Sequence, residues 1–262
     1  MSAHVVRISI APVKSLGLVH PDEVVLGDHG VVGDRRFWLV DEERRLFNNK
    51  RSGPMVQIRP DWDEATRELA LTFPDGRRVA GAVELEDEPF EVQMYGYDLA
   101  SRRVVGPWAD AISALAGQRL TLLWAEEGAP DRLYAGGTSL VSRASLARLA
   151  EEAGVDELDG RRFRMLFEID GVDAHEEDEW QGSRVRIGAA EIQVNGDVGR
   201  CAVTTHDPDT GIPSVDTLKA LAGYRREGRK EPLPLGVYAS VAVPGRVRVG
   251  DPVEALIANA LY

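Results

Sequence analysis

Apolar and polar positions alternate with a period of two through much of the first hundred residues, the pattern of half-buried strands. "VVRISI" (5–10) alternates, "RRFWLVD" (35–41) is β-branched and aromatic, and "RELALTFPDGRRVA" (67–80) sets a Pro-Asp-Gly turn between two apolar runs. Gly27, Gly30 and Gly33 punctuate "EVVLGDHGVVGDRRF" and suit turns between short strands. The period then changes. "PWADAISALAG" (107–117) predicts a helix with Trp108, Ile112 and Leu115 on one face and Gly117 as its stop. "TLLWA" returns to strand, and "SRASLARLAEEAG" (142–154) predicts a second helix. Ser142 is its N-cap, Leu146, Leu149 and Ala150 form one face, and Gly154 stands at its end. Strand patterns follow in "RFRMLFEI", "RVRIGAAEIQV", "GRCAVTT", "GVYASVAV" and "RVRVGDPVEAL", interrupted by an amphipathic helix at "SVDTLKALAGYR".

Many short strands with two or three helices lack the regular βαβ alternation of a doubly wound sheet. The pattern predicts an α+β, mainly β, barrel-like protein in two parts, joined near residues 100–120. No fixed-period repeat or low-complexity linker is present.

With 262 residues, 44% hydrophobic and 28% charged, the chain is long enough for substantial cores. No apolar run is long enough for a bilayer helix, and the first ten residues lack a signal-peptide core, so no membrane and a cytoplasmic location are expected. A formal net charge of -12 argues against a nucleic-acid partner, despite local basic clusters such as "DRRFW" and "RREGRK". Cations converging on a pocket against that balance would suit a compact anion.

The single cysteine, Cys201, excludes an internal disulfide, a Cys-rich zinc site and a four-Cys iron–sulfur cluster within the chain. A lone Cys is commonly a small buried hydrophobe. Here Arg200 precedes it and a glycine turn lies upstream, a context in which a thiolate could ligate a soft metal or act as a nucleophile. "DPDTG" (207–211) looks like the start of a calcium loop, but Leu218 stands where the bidentate Glu belongs, so a turn with Asx-type hydrogen bonds is expected. "DAHEEDEW" (173–180) reads as a solvated acidic loop. His206 beside the turn offers a weak hydrolytic pairing with Cys201. Lys14 and Ser15 in "APVKSLG", Arg35, Arg164 and Arg200 stand at strand ends, and would form an anion pocket only if the fold gathers them.

Taken in order, "APVKSLG", "GDRRFWLVD", "SRASLARL", "FRM", "GRCAVTTHDPDTG", "LKALAGYR" and "VRVGDPV" resemble the MOSC family, named for the C-terminal domain of molybdenum-cofactor sulfurase. The likeness is strongest to the subgroup similar to the mitochondrial amidoxime-reducing component, and covers nearly the whole chain. It implies an N-terminal MOSC β-barrel module over 1–115 and a MOSC domain, a β-barrel with flanking helices, over 116–262. It also implies a molybdenum cofactor (Mo-molybdopterin) ligated by Cys201 as the metal and catalytic residue. Lys14, Ser15, Arg35 and Arg164 would hold the pterin's phosphate and polar edge, with Arg200 and Tyr238 beside the cofactor. The implied activity is reduction of N-hydroxylated small molecules with electrons from an external electron-transfer protein. Two other classes remain open: a sulfur or cofactor carrier using Cys201 without turnover, and a non-catalytic binding module. The sequence departs from the family where Leu166 replaces the Asn of Phe-Arg-x-Asn and Gly199 replaces a common Ser, so two hydrogen-bonding groups are expected to be lost near the pterin.

Overall fold

The computed structural model describes residues 2–94, 97–126, 136–225 and 231–256. Its larger sheet has seven strands in the order His4–Ile8, Phe167–Asp170, Thr138–Ser142, Pro234–Val243, Ala190–Gly199, Arg184–Ile187 and Val253–Leu256. The outer strands approach each other through a His4–Pro252 bridge and the hydrogen bonds Val5 N to Asp251 O (2.9 Å) and Val253 N to Ala3 O (2.9 Å), which nearly close a barrel. Inward residues of alternating strands, among them Val5, Ile8, Phe167, Ile192 and Val237, fill its interior. The parallel pair, Thr138–Ser142 with Phe167–Asp170, is bridged by a crossover containing the helix Arg143–Ala153.

A second body holds a five-stranded sheet (Leu46–Phe47, Phe37–Val40, Thr121–Ala125, Ser101–Val105, Glu84–Pro89) and a three-stranded one (Arg59–Asp63, Glu68–Thr72, Arg78–Ala82). Its core includes Phe37, Leu39, Leu69, Leu71 and Trp108, and the Trp108 indole donates to the Leu69 carbonyl at 3.0 Å. The mainly β, α+β architecture matches the sequence pattern. The bodies interlock. Strand His4–Ile8 pairs with Phe167–Asp170, while Glu23–Gly27 pairs with Gly245–Arg248 in a separate small sheet.

Helices α1 (Trp108–Ala116), α2 (Arg143–Ala153) and α3 (Thr217–Tyr224) fall where the period predicts them. The Ser142 hydroxyl accepts from Ser145 N at 3.0 Å, and Gly154 caps α2 in the left-handed region at φ 68. In α1, Trp108 and Ile112 are buried, but Leu115 is 40% exposed, so the apolar face ends one turn early. Two strand expectations are corrected. In "RFRMLFEI" the residues Gly160–Phe163 form a 3-10 turn and the strand starts at Phe167. In "GRCAVTT" the strand ends at Gly199 and Ala202–Thr205 form another 3-10 turn, because the Thr204 and Thr205 hydroxyls bond back to the Cys201 and Ala202 carbonyls (3.0 and 2.7 Å). No helix is long and apolar enough to cross a membrane among the described residues. The "RREGRK" cluster lies outside them beyond Arg225.

Candidate functional site

Three backbone turns converge between the two bodies. Segment 11–16 runs beside 34–37, held by Lys14 N to Phe37 O (2.7 Å) and Arg35 N to Ala11 O (2.8 Å). The buried Asp34 carboxylate accepts from Ala11 N at 2.7 Å and forms an ion pair with buried Arg35. The third turn, Gly160–Phe163, ends on Arg164. The Arg164 guanidinium donates to Leu16 O at 2.8 Å, and its carbonyl accepts from Arg35 Nη2 at 3.4 Å. Ser15, Arg35 and Arg164 all have left-handed φ, at 76, 53 and 52. They are three of the seven non-glycine residues in that region among those described. Such conformations cost energy and persist only where the surroundings impose them.

Cys201 reaches the same place from the end of strand Ala190–Gly199. Before it, Arg200 donates to Leu235 O (3.0 Å) and Phe163 O (3.1 Å), with its guanidinium 5.2 Å above the Phe163 ring. This cation thus fastens the 160–163 turn to strand Pro234–Val243. Cys201 is half-buried, and its carbonyl accepts from Thr204 N and Oγ1, both at 3.0 Å. Its Sγ has no hydrogen bond or ion pair to the described residues. Thr204 in turn meets Thr217 of α3, hydroxyl to hydroxyl at 2.8 Å. Tyr238 sits on strand Pro234–Val243 opposite Ser139 and Gly196.

All seven residues singled out by sequence line one cavity of about 190 Å³: Lys14, Ser15, Arg35, Arg164, Arg200, Cys201 and Tyr238. Sequence reasoning missed Asn48, Asn49, Lys50, Arg162 and Thr204 in the same lining. Asn-Asn-Lys carries only a loop signal, and Arg162 was hidden in an expected strand. A second cavity of about 230 Å³ shares Asn49, Arg162, Arg164 and Val203 with the first and extends toward Arg59, His206 and Asp207. Among the described residues the two together are lined by eight Lys or Arg and two Asp, and the Cys201 cavity by no acidic residue. The cleft is therefore cationic in a chain of net charge -12.

The remaining motifs resolve into structural parts. Asp207 accepts from Asp209 N (3.1 Å), Thr210 N (2.9 Å) and Thr210 Oγ1 (3.0 Å), the expected Asx turn. These bonds hold the Asp207 carboxyl below the usual aspartate range against the opposing effect of desolvation, which is the largest single contribution. Among the described residues no group of three or more His, Cys, Asp or Glu is placed to hold a metal. His206 lines the second cavity and not that of Cys201. The acidic run is not a solvated loop. Glu177 is fully buried and accepts from Ser142 N (3.1 Å) and Ser145 Oγ (2.7 Å), and Asp178 pairs with Arg225 at 2.5 Å. Of the two departures, Leu166 packs into the barrel interior and is not among the cavity lining, whereas Gly199 is. A Cβ on Gly199 would lie 2.7 Å from Glu231 Oε2, the end of a flexible exposed side chain.

Comparison with known proteins bears on the same two bodies. The MOSC N-terminal beta barrel domain is matched over residues 2–118 and the MOSC domain over residues 136–254. Human mitochondrial amidoxime-reducing component 1 is 36% identical over 282 residues, covering 96% of this chain and 82% of that protein. Molybdenum cofactor sulfurase of Anopheles gambiae is 26% identical across 90% of this chain, which spans only 34% of the sulfurase. The crystal structure of the YUAD protein from Bacillus subtilis superposes with a TM-score of 0.49 at 14% identity, over 97% of this chain and 96% of that one. The protein belongs to the MOSC family, in the group that carries a MOSC N-terminal beta barrel domain.

Proposed function

We propose that the protein is a molybdenum-cofactor-dependent oxidoreductase that reduces N-hydroxylated small molecules with electrons from a separate redox protein. The observation that carries this reading is the convergence of a half-buried thiol and a set of cations on one cavity with no carboxylate among its described lining residues. That donor set fits a cofactor with a phosphate at one end and a soft metal centre at the other. The name of the human relative, 36% identical, supports the substrate class.

In this reading Lys14, Ser15 and Arg35 hold the phosphate. Arg35 does so from a position fixed by Asp34, so its charge is preorganised before any ligand arrives. Arg164, Arg200 and Tyr238 border the pterin, with Arg200 acting chiefly as the clamp that sets the Cys201 backbone. Cys201 supplies the protein's sulfur ligand. When bound, the cofactor supplies the two-electron redox centre that no side chain provides. The overall change is R–NH–OH plus two electrons and two protons giving R–NH2 and water. The electrons come from the partner and the protons from solvent through the open cleft.

The test is metal analysis and reductase assay of protein made in a host that synthesises the cofactor, beside a folded Cys201→Ser variant. Near one molybdenum per chain, with amidoxime reduction by a reduced donor, both lost in the variant, is the expected result. Metal-free protein carrying a persulfide on Cys201 would replace this reading with sulfur transfer. Such a role would draw on the half-buried Sγ, which has no hydrogen bond to the described residues, and on the likeness to the sulfurase.

A further inference from the structure

The second cavity has a charge imbalance of its own. Arg59, Arg161, Arg162 and Arg164 face it with Asp207 and Asp209. Both acids are already engaged. Asp209 takes two 2.8 Å bonds from Arg161, and Asp207 accepts three bonds from its own turn on Oδ1. Arg59 is exposed at the start of a strand, and its guanidinium has no hydrogen bond or ion pair with any described residue. Arg162 is only 8% exposed. Its Nη1 is spent on His206 O (2.6 Å) and Ser214 Oγ (2.9 Å), its Nε is buried without an acceptor, and no described carboxylate lies within ion-pair distance. Asp207 and Asp159 act on this guanidinium only from beyond ion-pair distance, with desolvation the larger effect, so an anion seated beside it would offset part of the cost of its burial.

This arm adjoins the Cys201 cavity, and Asn49, Arg162, Arg164 and Val203 line both. A molecule whose reacting end lies at Cys201 and which is long enough to pass these four residues would place its far end there. We infer that the arm receives a carboxylate or phosphate carried by the substrate, so that the preferred N-hydroxylated substrates are anionic. The identity of the reacting group rests on the function proposed above. The anion pocket does not.

Titration calorimetry separates the two. Benzamidoxime, 4-carboxybenzamidoxime and 4-phosphonobenzamidoxime are titrated into the wild type, Arg59→Ala and Arg59→Lys, with reduction of each measured in parallel. Arg59 is exposed, so these variants keep the fold. At least one anionic probe is expected to bind about tenfold or more tightly than the neutral one, a gap lost in Arg59→Ala and largely kept in Arg59→Lys. The tighter of the two anions identifies the charge the arm prefers. Equal affinity for charged and neutral probes, no binding of either anion, or a gap that survives Arg59→Ala overturns the inference. Tight anion binding without reduction of any probe upholds the pocket and rejects the reductase reading. Reduction of all three without preference does the reverse.

Discussion

Gly53 and Gly211 meet backbone against backbone. A Cβ on Gly53 would lie 2.0 Å from the Gly211 carbonyl oxygen, and one on Gly211 would lie 2.0 Å from that of Gly53. Gly211 closes the turn after Cys201, and Gly53 opens the 3-10 helix Gly53–Gln57 of the other body. Gln57 Nε2 reinforces the contact by donating to Thr210 O at 3.1 Å. The turn after the cysteine is thus a docking joint. Gly53→Ala is expected to destabilise the protein by about 1–3 kcal/mol through overpacking. Urea denaturation would check this, and a change within about 0.5 kcal/mol of zero, the range of an ordinary surface substitution, would mean that the joint is loose.

The left-handed conformation of Ser15 makes a trade-off measurable. Ser15→Gly relieves backbone strain and should raise stability by up to about 1 kcal/mol, while removing a hydroxyl from the cavity. Denaturation midpoints read the first effect and molybdenum per chain the second. A less stable variant with full cofactor content would contradict both assignments.

Arg35 is expected to be more costly to remove than Lys14. Arg35→Ala removes the buried Asp34–Arg35 ion pair, a change of about 3 kcal/mol, whereas Arg35→Lys keeps the charge. Chemical denaturation at neutral pH would show a loss under 1 kcal/mol if water reaches Asp34 freely.

Glu177 gives a pH signature. Burial pushes its carboxyl above the ordinary glutamate value, with neighbouring Asp178 adding to the effect, and its Oε2 is buried without a partner. Because the folded state holds this proton more tightly, the stabilisation is full below the unfolded value near 4.5 and is lost as pH rises through the raised folded value. Glu177→Gln should therefore be more stable than wild type by about 1–3 kcal/mol at pH 7.5, with the advantage shrinking toward pH 4. Parallel denaturation series at the two pH values decide it. A constant difference would assign the effect to packing.

Helix α2 was legible in full, because Ser142 and Gly154 mark its ends by local chemistry and Leu146 and Leu149 set its period. The segment after Cys201 was not. Thr204 and Thr205 have the β-branched look of a strand, yet their hydroxyls close a 3-10 turn, a choice made by local hydrogen bonds that hydrophobic period does not record. The acidic run misled for a different reason. Glu177 is buried by its seat against the start of α2, so its environment is tertiary. Four cations of the cleft, Lys14, Arg35, Arg164 and Arg200, were visible one by one, but their convergence depends on left-handed turns at Ser15, Arg35 and Arg164, for which no glycine gives notice.

The interlocking of the two bodies also bears on synthesis. His4 pairs with Asp170 and Ile8 with Phe167, so the barrel's first strand has no partner until the ribosome has passed the middle of the chain. At bacterial or eukaryotic elongation rates that interval is on the order of ten seconds, long compared with the microseconds in which a hairpin forms. Through it, Val5 and Ile8 must stay out of water's way without the core that finally covers them. Strand His4–Ile8 is thus expected to be uncovered in the nascent chain, and slowing translation ahead of residue 167 should increase aggregation.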